Sequence, residues 1–234
     1  MVSIIACTIR DYMMDNLFSN YSRQVWKEKQ LIIILNNDEM NIDNWKKKAE
    51  EYDNVSIYQL PEEKTLGECL NFGIEKSQYE IVAKFDDDDF YSPYYLSEAM
   101  AVFNSTNAQL IGKGVSFMYF ENDNLLTLYK IGSENKSGKS SLKGGTLMFR
   151  KDLFPRLKFP SRQGSGTDSH FVRACKQENV KIYTTSRYNY VYIRRNQESH
   201  TYKKSNTKLK AKSKVIGKFK DFTSKVTKEI RNKD

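Results

Sequence analysis

Four consecutive aspartates, Asp86–Asp89, are the residues of this 234-residue chain best suited to chemistry. They follow an apolar segment, Glu80–Phe85, which we predict to be a buried strand. Side chains alternate between the faces of a strand, so we expect Asp86 and Asp88 to share one face. Two such carboxylates repel each other unless a cation lies between them, and oxygen ligands suit Mg²⁺ or Mn²⁺. The run therefore predicts a divalent metal site, the simpler alternative being an acidic turn in which Asp89 caps the next helix.

The segments around this run alternate between strand and helix patterns. Apolar runs predict strands over Val2–Thr8, Gln30–Leu35 and Val55–Leu60. Helices are predicted between the strands, and the clearest start is the capping box that Thr65 opens. This alternation, up to residue 103, predicts an α/β fold with a mixed, mostly parallel central sheet flanked by helices. Ligands bind such sheets at the carboxyl ends of the strands, which is where the aspartates lie.

The second half of the chain has a different pattern. Leu110–Phe120 and Leu125–Lys130 flank a Glu-Asn-Asp-Asn turn and predict a hairpin. Further elements follow, with strands predicted over Gly144–Arg150, Val180–Thr184 and Tyr188–Arg194 and a helix over Ser169–Glu178. These elements extend the domain without adding an internal repeat.

Positive charge is concentrated at the end of the chain. Residues 203–234 contain 12 Lys and Arg against 3 Asp and Glu, whereas residues 1–202 carry 26 of each. Because nucleic-acid-binding domains usually carry a basic face on the folded body, we do not expect nucleic acid as a partner. The basic segment predicts an amphipathic helical tail, since its apolar residues recur at helical spacing; they are Val215, Phe219, Phe222, Val226 and Ile230.

A basic amphipathic helix of this kind binds anionic membrane surfaces. We therefore predict a cytoplasmic protein, peripheral on the inner face of the cell membrane, with docking of the tail on its own domain or on another subunit as the alternative. No apolar run approaches the roughly 20 residues of a membrane span. The three cysteines are far apart and predict no disulfide framework; they are Cys7, Cys69 and Cys175.

Several segments, taken in order, resemble the family 2 glycosyltransferases with the GT-A fold. The aspartate run with the following Phe-Tyr-Ser-Pro is similar to their DxD region. The other similar segments are VSIIACTIR (Val2–Arg10), Leu31–Asn37, GECLNFG (Gly67–Gly73), GGTLMFRKDLF (Gly144–Phe154), GTDSHF (Gly166–Phe171) and YIRRNQESHTY (Tyr192–Tyr202). The resemblance implies a GT-A domain over residues 1–202, with a nucleotide-binding half at 1–109 and an acceptor-binding half at 110–202, before the lysine-rich tail at 203–234.

The resemblance also implies an activity and a site. The protein would transfer a sugar from a nucleotide-sugar to a hydroxyl acceptor with inversion, in cell-surface polysaccharide, teichoic acid or glycoconjugate biosynthesis. Asp168 would be the catalytic base, or alternatively only the N-cap of its helix. The metal ligands would be Asp86, Asp88 and His200. The alternative for His200 is that it is only a surface histidine beside the basic tail. The nucleotide-sugar would contact Thr8, Arg10, Asn37, Lys64, Asp86, Asp87, Arg194, Arg195 and His200, and the acceptor Gly144, Gly145 and His170.

The sequence departs from the family pattern at two places. Asn36-Asn37 stand where aspartates are usual, and Leu70 stands where the family has a diphosphate-contacting arginine. An Asn carbonyl can still accept a hydrogen bond from a nucleotide base, so a UDP-sugar remains the expected donor.

Two other function classes stay open as alternatives. A nucleotidyltransferase also uses aspartates and metal on an α/β sheet, although no glycine-rich loop follows the first strand. A nucleic-acid-binding protein would use the lysine tail, and its salt-sensitive DNA binding would persist after loss of Asp86 and Asp88. A P-loop is excluded, because the segment around Lys139 lacks the required first glycine, and Ser133 takes its place.

Overall fold

The computed structural model describes residues 1–196 and 204–230. The strands in chain order are β1 (Val2–Thr8), β2 (Lys29–Leu35), β3 (Val55–Gln59), β4 (Ile81–Asp86), β5 (Phe90–Tyr91), β6 (Leu110–Gly112), β7 (Val115–Phe120), β8 (Leu125–Lys130), β9 (Lys136–Ser137), β10 (Met148–Arg150), β11 (Ile182–Thr184), β12 (Tyr190–Arg194) and β13 (Lys214–Lys218). The helices are α1 (Met14–Ser22), α2 (Ile42–Ala49), α3 (Leu66–Lys76), α4 (Tyr95–Ser105), α5 (Thr167–Gln177), α6 (Asn206–Ala211) and α7 (Thr223–Val226).

The larger sheet has eight strands in the order β3-β2-β1-β4-β10-β6-β11-β9. The first four are parallel to one another, and β10 runs antiparallel to both of its neighbours. β1 and β2 are almost wholly buried, as expected for strands covered by helices on both faces. The predicted mixed, mostly parallel sheet is confirmed, with one apolar core on each of its faces.

Helix α3 shows how local sequence places an element. Thr65 accepts a hydrogen bond from the amide of Glu68, and the Glu68 carboxylate accepts one from the amide of Thr65, so the predicted capping box is confirmed. Gly73 packs this helix onto the sheet, because a Cβ there would stand 2.6 Å from a methyl carbon of Ile5.

The smaller sheet corrects one predicted strand. Leu110–Phe120 is not continuous, since β6 belongs to the larger sheet and β7 to a five-stranded sheet in the order β13-β8-β7-β12-β5. The chain crosses between the sheets at Gly114, where a Cβ would stand 2.4 Å from the carbonyl oxygen of Ser133. Periodicity cannot show such a crossing, because both strands are buried and apolar. The predicted hairpin of β7 and β8 is confirmed.

The predicted helical tail is wrong. Its described part, 204–230, forms α6, β13 and α7, and β13 adds an antiparallel edge to β8. Val226 is fully buried, and Phe219 and Phe222 pack beside it against the core under β7 and β12. The backbone of β8 offers an unpaired edge that β13 satisfies, which overrides the helical spacing. The alternative of a tail docked on its own domain therefore describes the structure. None of the described helices is long and apolar enough to cross a membrane.

Candidate active site

The aspartate run does not continue its strand. β4 ends at Asp86, and residues 87–89 form a turn at the carboxyl end of the sheet. The expectation that alternate aspartates share a face is therefore wrong, because it assumed an extended backbone. Two side chains of α1 fix the turn: Asn16 Nδ2 donates to the carbonyl oxygen of Asp87 at 2.6 Å, and Asn20 Nδ2 donates to that of Asp89 at 2.8 Å.

Asp87 is the buried partner of Thr8 and Arg10. Its Oδ2 accepts hydrogen bonds from the Thr8 hydroxyl at 2.5 Å and from Arg10 Nε at 3.1 Å. Arg10 also pairs with Asp88, with 3.1 Å between Nη1 and Oδ2. Burial lowers the pKa of the guanidinium, but Asp87 and Asp88 outweigh it and raise the pKa above its usual value. The structure thus brings these predicted residues together, and both Thr8 and Arg10 donate hydrogen bonds to the Asp87 carboxylate.

Asp89 has a structural role. It is 1% exposed and accepts hydrogen bonds from the Tyr190 hydroxyl and from the amide of Ile193, the latter at 3.1 Å. Burial, with the charges of neighbouring carboxylates, raises the pKa of Asp89 well above its usual value. The alternative in which Asp89 caps the next helix is wrong, since α4 starts after Tyr94 with no side-chain cap. Asp89 instead joins the aspartate turn to β12.

Asp168 lies beside the carboxyl end of β4. Helix α5 takes Gly166 as its N-cap, with φ of 101°, so the alternative of Asp168 as the N-cap is wrong. Asp168 Oδ2 stands 3.3 Å from Lys84 Nζ, and the same ammonium pairs with Asp86 Oδ1. Asp168 Oδ1 is buried and has no hydrogen-bond partner within the described residues. Tertiary structure thus joins the predicted base to the predicted metal ligand through a lysine.

Gly144 and Gly145 make this approach possible. They begin a short 3₁₀ helix over Gly144–Thr146. A Cβ at Gly144 would stand 2.0 Å from Asp168 Oδ2, and one at Gly145 would stand 2.6 Å from Asp86 Oδ2. The expected close backbone approach is present, and the groups that approach are the carboxylates of the site itself. Contact of these glycines with an acceptor stays a prediction.

The two arginines that follow β12 differ in environment. Arg195 Nη1 donates to the carbonyl oxygen of Asp88 at 2.6 Å, which places this cation on the aspartate turn. Arg194 is 1% exposed and donates to Asn206 Oδ1 at 2.9 Å and to the carbonyl oxygen of Lys204 at 3.0 Å. Those contacts support an anchoring role for Arg194, and its predicted contact with the diphosphate stays a prediction. His200 lies outside the described residues.

The remaining predicted residues have contacts elsewhere in the chain. Asn37 follows β2, and its Oδ1 accepts a hydrogen bond from the amide of Glu39 at 2.8 Å. Lys64 is exposed before α3, with 3.6 Å between its Nζ and Glu68 Oε1. The two ring nitrogens of His170 stand 3.0 and 2.8 Å from Arg162 Nη1. Their contacts with nucleotide or acceptor stay predictions.

The electrostatics of Asp86 set it apart from an ordinary surface carboxylate. Burial raises the pKa of Asp86 to about 6, Lys84 opposes this, and the charges of Asp168 and Asp88 add to it. The crowding of negative charge that raises this pKa also favours binding of a cation.

Sequence reasoning missed Lys84, although a signal was present. A lysine inside the apolar strand IVAKF is unusual, because a buried ammonium needs charged partners. Tyr190 was also missed, since only the fold brings it to Asp89.

The chain matches a known protein family. The family model described as "Glycosyl transferase family 2" matches residues 5–159, more than half of the chain. The chain belongs to glycosyl transferase family 2. The matched segment of this glycosyltransferase-family chain includes the aspartate turn, Lys84 and both glycines, and it ends before Asp168.

One similar protein is named as a glycosyltransferase, and two solved structures share the fold. This family 2 chain is 30% identical over 161 residues to the O-antigen biosynthesis glycosyltransferase WbnJ of Escherichia coli. The matched segment covers 65% of this chain and 63% of WbnJ. The fold is similar to S. aureus TarS 1-349 in complex with UDP-GlcNAc, with a TM-score of 0.66 and 15% identity over 87% of this chain and 61% of that one. It is also similar to the mannosyltransferase PcManGT from Pyrobaculum calidifontis in complex with GDP-Man and Mn²⁺, with a TM-score of 0.61 and 15% identity over 82% of this chain and 56% of that one. The chain thus spans less than two thirds of each of these proteins, and the predicted GT-A fold is confirmed.

Proposed function

We propose that this protein transfers a sugar from a nucleotide-sugar donor to a hydroxyl acceptor, with inversion at the anomeric carbon. Family membership supports the glycosyltransferase class. The observation that carries the proposal is the approach of Asp168 to Asp86 through Lys84 at the carboxyl end of β4. An inverting transfer needs a base opposite the departing diphosphate, and this arrangement sets one carboxylate apart from the aspartate turn.

The donor atoms of the turn fit Mg²⁺ or Mn²⁺. Asp86 and Asp88 offer carboxylate oxygens, and such ions commonly bind one or two carboxylates together with water and substrate phosphates. No cluster of three or more potential ligands occurs among the described residues, so water and substrate phosphates would have to complete the coordination of the ion. When bound, the ion supplies charge neutralisation for the departing nucleoside diphosphate. PcManGT has been solved in complex with GDP-Man and Mn²⁺, which supports the same choice here.

The chain's own residues have separate tasks. Asp168 accepts the proton of the acceptor hydroxyl as that oxygen bonds to the anomeric carbon and the bond to the diphosphate oxygen breaks. Arg195, held on the turn by its bond to the Asp88 carbonyl, places positive charge where the diphosphate leaves. Arg10 reaches the same place by exchanging its ion pair with Asp88 for a phosphate oxygen.

The relatives support a substrate class for this proposal. TarS has been solved with UDP-GlcNAc, and WbnJ is named for O-antigen biosynthesis. We infer a UDP-sugar donor and a cell-surface polysaccharide, teichoic acid or related glycan as acceptor, with Asn37 accepting a hydrogen bond from the base. Neither the nucleotidyltransferase nor the nucleic-acid-binding alternative gains support from these relatives.

We also propose contact with an anionic membrane surface, through a different face from the one that the sequence predicted. The stripe of Phe219, Phe222 and Val226 is turned inward, whereas Val215 and Ile216 are 59% and 41% exposed on the edge strand β13. Exposed lysines surround these two residues; they are Lys212, Lys214, Lys218 and Lys220. Such a surface attracts acidic lipids, and its apolar residues enter the interface.

The direct test is calorimetry of UDP and GDP binding with and without Mn²⁺, followed by transfer assays with a panel of nucleotide-sugars. We expect Asp88→Asn to abolish the gain in nucleotide affinity from Mn²⁺. We expect Asp168→Asn to keep binding and lower kcat by about 10²–10⁴-fold, the usual contribution of a general base. The exposed Asp152→Asn is the matched control. Nucleotide binding that ignores Mn²⁺, together with full transfer by the Asp168 variant, would contradict the proposal.

A further inference from the structure

Lys84 is a buried cation within an apolar strand. It is 3% exposed, and its backbone amide donates to the carbonyl oxygen of Leu147 at 2.9 Å, which fixes the residue between β4 and the chain leading into β10. A buried ammonium is costly unless charged groups compensate it. Its partners are Asp86 Oδ1 and Asp168 Oδ2.

The two carboxylates that share this ammonium have different tasks under the proposed function. Asp86 ends β4 next to the aspartate turn and would be a metal ligand, whereas Asp168 would be the base. Asp168 reaches the site from α5, 84 residues further along the chain, and its other oxygen lacks a hydrogen-bond partner within the described residues. Within the described residues, the ion pair with Lys84 is therefore the contact that orients the Asp168 carboxylate.

We propose that Lys84 is a positioning residue that aims Asp168 at the acceptor and also acts as a built-in countercation that weakens divalent-metal binding at Asp86. This inference rests on the proposed function. A positive charge that touches Asp86 repels a second cation approaching the same carboxylate. The same charge attracts Asp168, so the position of the base and the affinity for metal depend on one ammonium.

Removing the charge of Lys84 should change the rate of transfer and the affinity for Mn²⁺ in opposite directions. Without Lys84, Asp168 loses its fixed direction, and transfer slows. Without Lys84, Asp86 also loses its internal cation, and Mn²⁺ binds more tightly. General damage to the fold would weaken both functions, so the opposite signs separate a positioning role from a merely structural one.

The test compares Lys84→Met, Lys84→Arg and wild type by calorimetric titration with Mn²⁺ alone, and then by kcat and KM. We expect Lys84→Met to bind Mn²⁺ about tenfold more tightly, on the scale of effects from groups behind metal ligands. We expect its kcat to fall about 10²-fold with little change in donor KM, as for a misplaced catalytic group. Lys84→Arg keeps the charge and should return both values toward wild type. Lys113→Met is the matched control, because Lys113 is a buried lysine that pairs with Glu98, 2.9 Å away.

A second measurement needs no variant, in case Lys84→Met does not fold. In protein labelled with ¹⁵N-lysine, the Nζ signal of Lys84 should shift when Mg²⁺ is added, and that of Lys113 should not. A folded Lys84→Met that binds Mn²⁺ no more tightly than wild type, or an unmoved Lys84 signal, overturns the inference alone. Wild-type protein that binds no divalent ion, either alone or together with UDP, overturns this inference and the metal-dependent function together.

Discussion

Gly144 lies directly against Asp168, so that a Cβ at position 144 would stand 2.0 Å from Asp168 Oδ2 and 2.8 Å from its Cβ. Real Cβ atoms do not approach other atoms so closely, and no side chain fits at 144 while Asp168 keeps its place. The glycine is needed for space, since its φ is not in the left-handed region. Position 144 therefore controls where the proposed base stands.

Gly144→Ala should displace Asp168 and lower kcat by about 10²-fold, because small misplacements of catalytic groups have effects of this size. The free energy of unfolding should also fall by about 1–3 kcal/mol, because the added methyl overpacks the contact with Asp168. The check is a double-mutant cycle with Asp168→Gly, which removes both the carboxylate and the Cβ that a methyl at 144 would meet: in that background the added methyl should have no further effect on kcat. Full additivity would show that Gly144 acts through something other than Asp168.

The buried Lys143 should make the free energy of unfolding depend on pH. Burial, with the charge of Lys113, lowers the pKa of Lys143 to about 7 despite the opposing charge of Asp89. In the unfolded chain a lysine has a pKa of about 10.4, so between about pH 7 and 10 the unfolded state binds more protons. The contribution of Lys143 to the free energy of unfolding should therefore rise with pH in this window.

Urea denaturation of wild type and Lys143→Met at pH 6, 7, 8 and 9 checks this expectation. The stability difference between wild type and variant should be constant below pH 7 and then grow by up to about 1.4 kcal/mol per pH unit. The neutral amine keeps its bonds to Ser116 Oγ at 2.8 Å and to the carbonyl oxygen of Tyr129 at 2.7 Å. A difference that stays flat to pH 9 would mean that Lys143 is charged inside the folded protein.

The C-terminal segment is predicted to be part of the folded core. Leu209 is fully buried and packs with Met118 and Phe120, so Leu209→Ala should cost about 2–5 kcal/mol in the free energy of unfolding. Ile216→Ala, at a site 41% exposed, should change it by less than about 0.5 kcal/mol. Equal, small effects of both substitutions would indicate a segment that is not docked.

Membrane contact is tested by charge reversal rather than truncation, because deleting the segment would also remove core residues. We expect the variant carrying Lys212→Glu, Lys214→Glu and Lys218→Glu to lose binding to anionic liposomes, since each lysine near such a surface contributes about 1 kcal/mol. A control variant with the same charge change elsewhere reverses three other exposed lysines; they are Lys27, Lys46 and Lys47. Sedimentation with vesicles of phosphatidylserine and phosphatidylcholine measures the difference, and equal losses in both variants would rule out the β13 face.

Local patterns in the sequence were sufficient to predict several elements of the fold. Apolar runs predict β1 and β2, the capping box predicts α3, and the order of motifs predicts the GT-A class, because burial and capping act within a few residues. Tertiary structure alone decided which of the four aspartates face inward, that Lys84 bridges Asp86 to Asp168, and that the tail pairs with β8 instead of forming a helix. These contacts join residues far apart in the chain, so their strength depends on burial and charge that only the assembled sheets create.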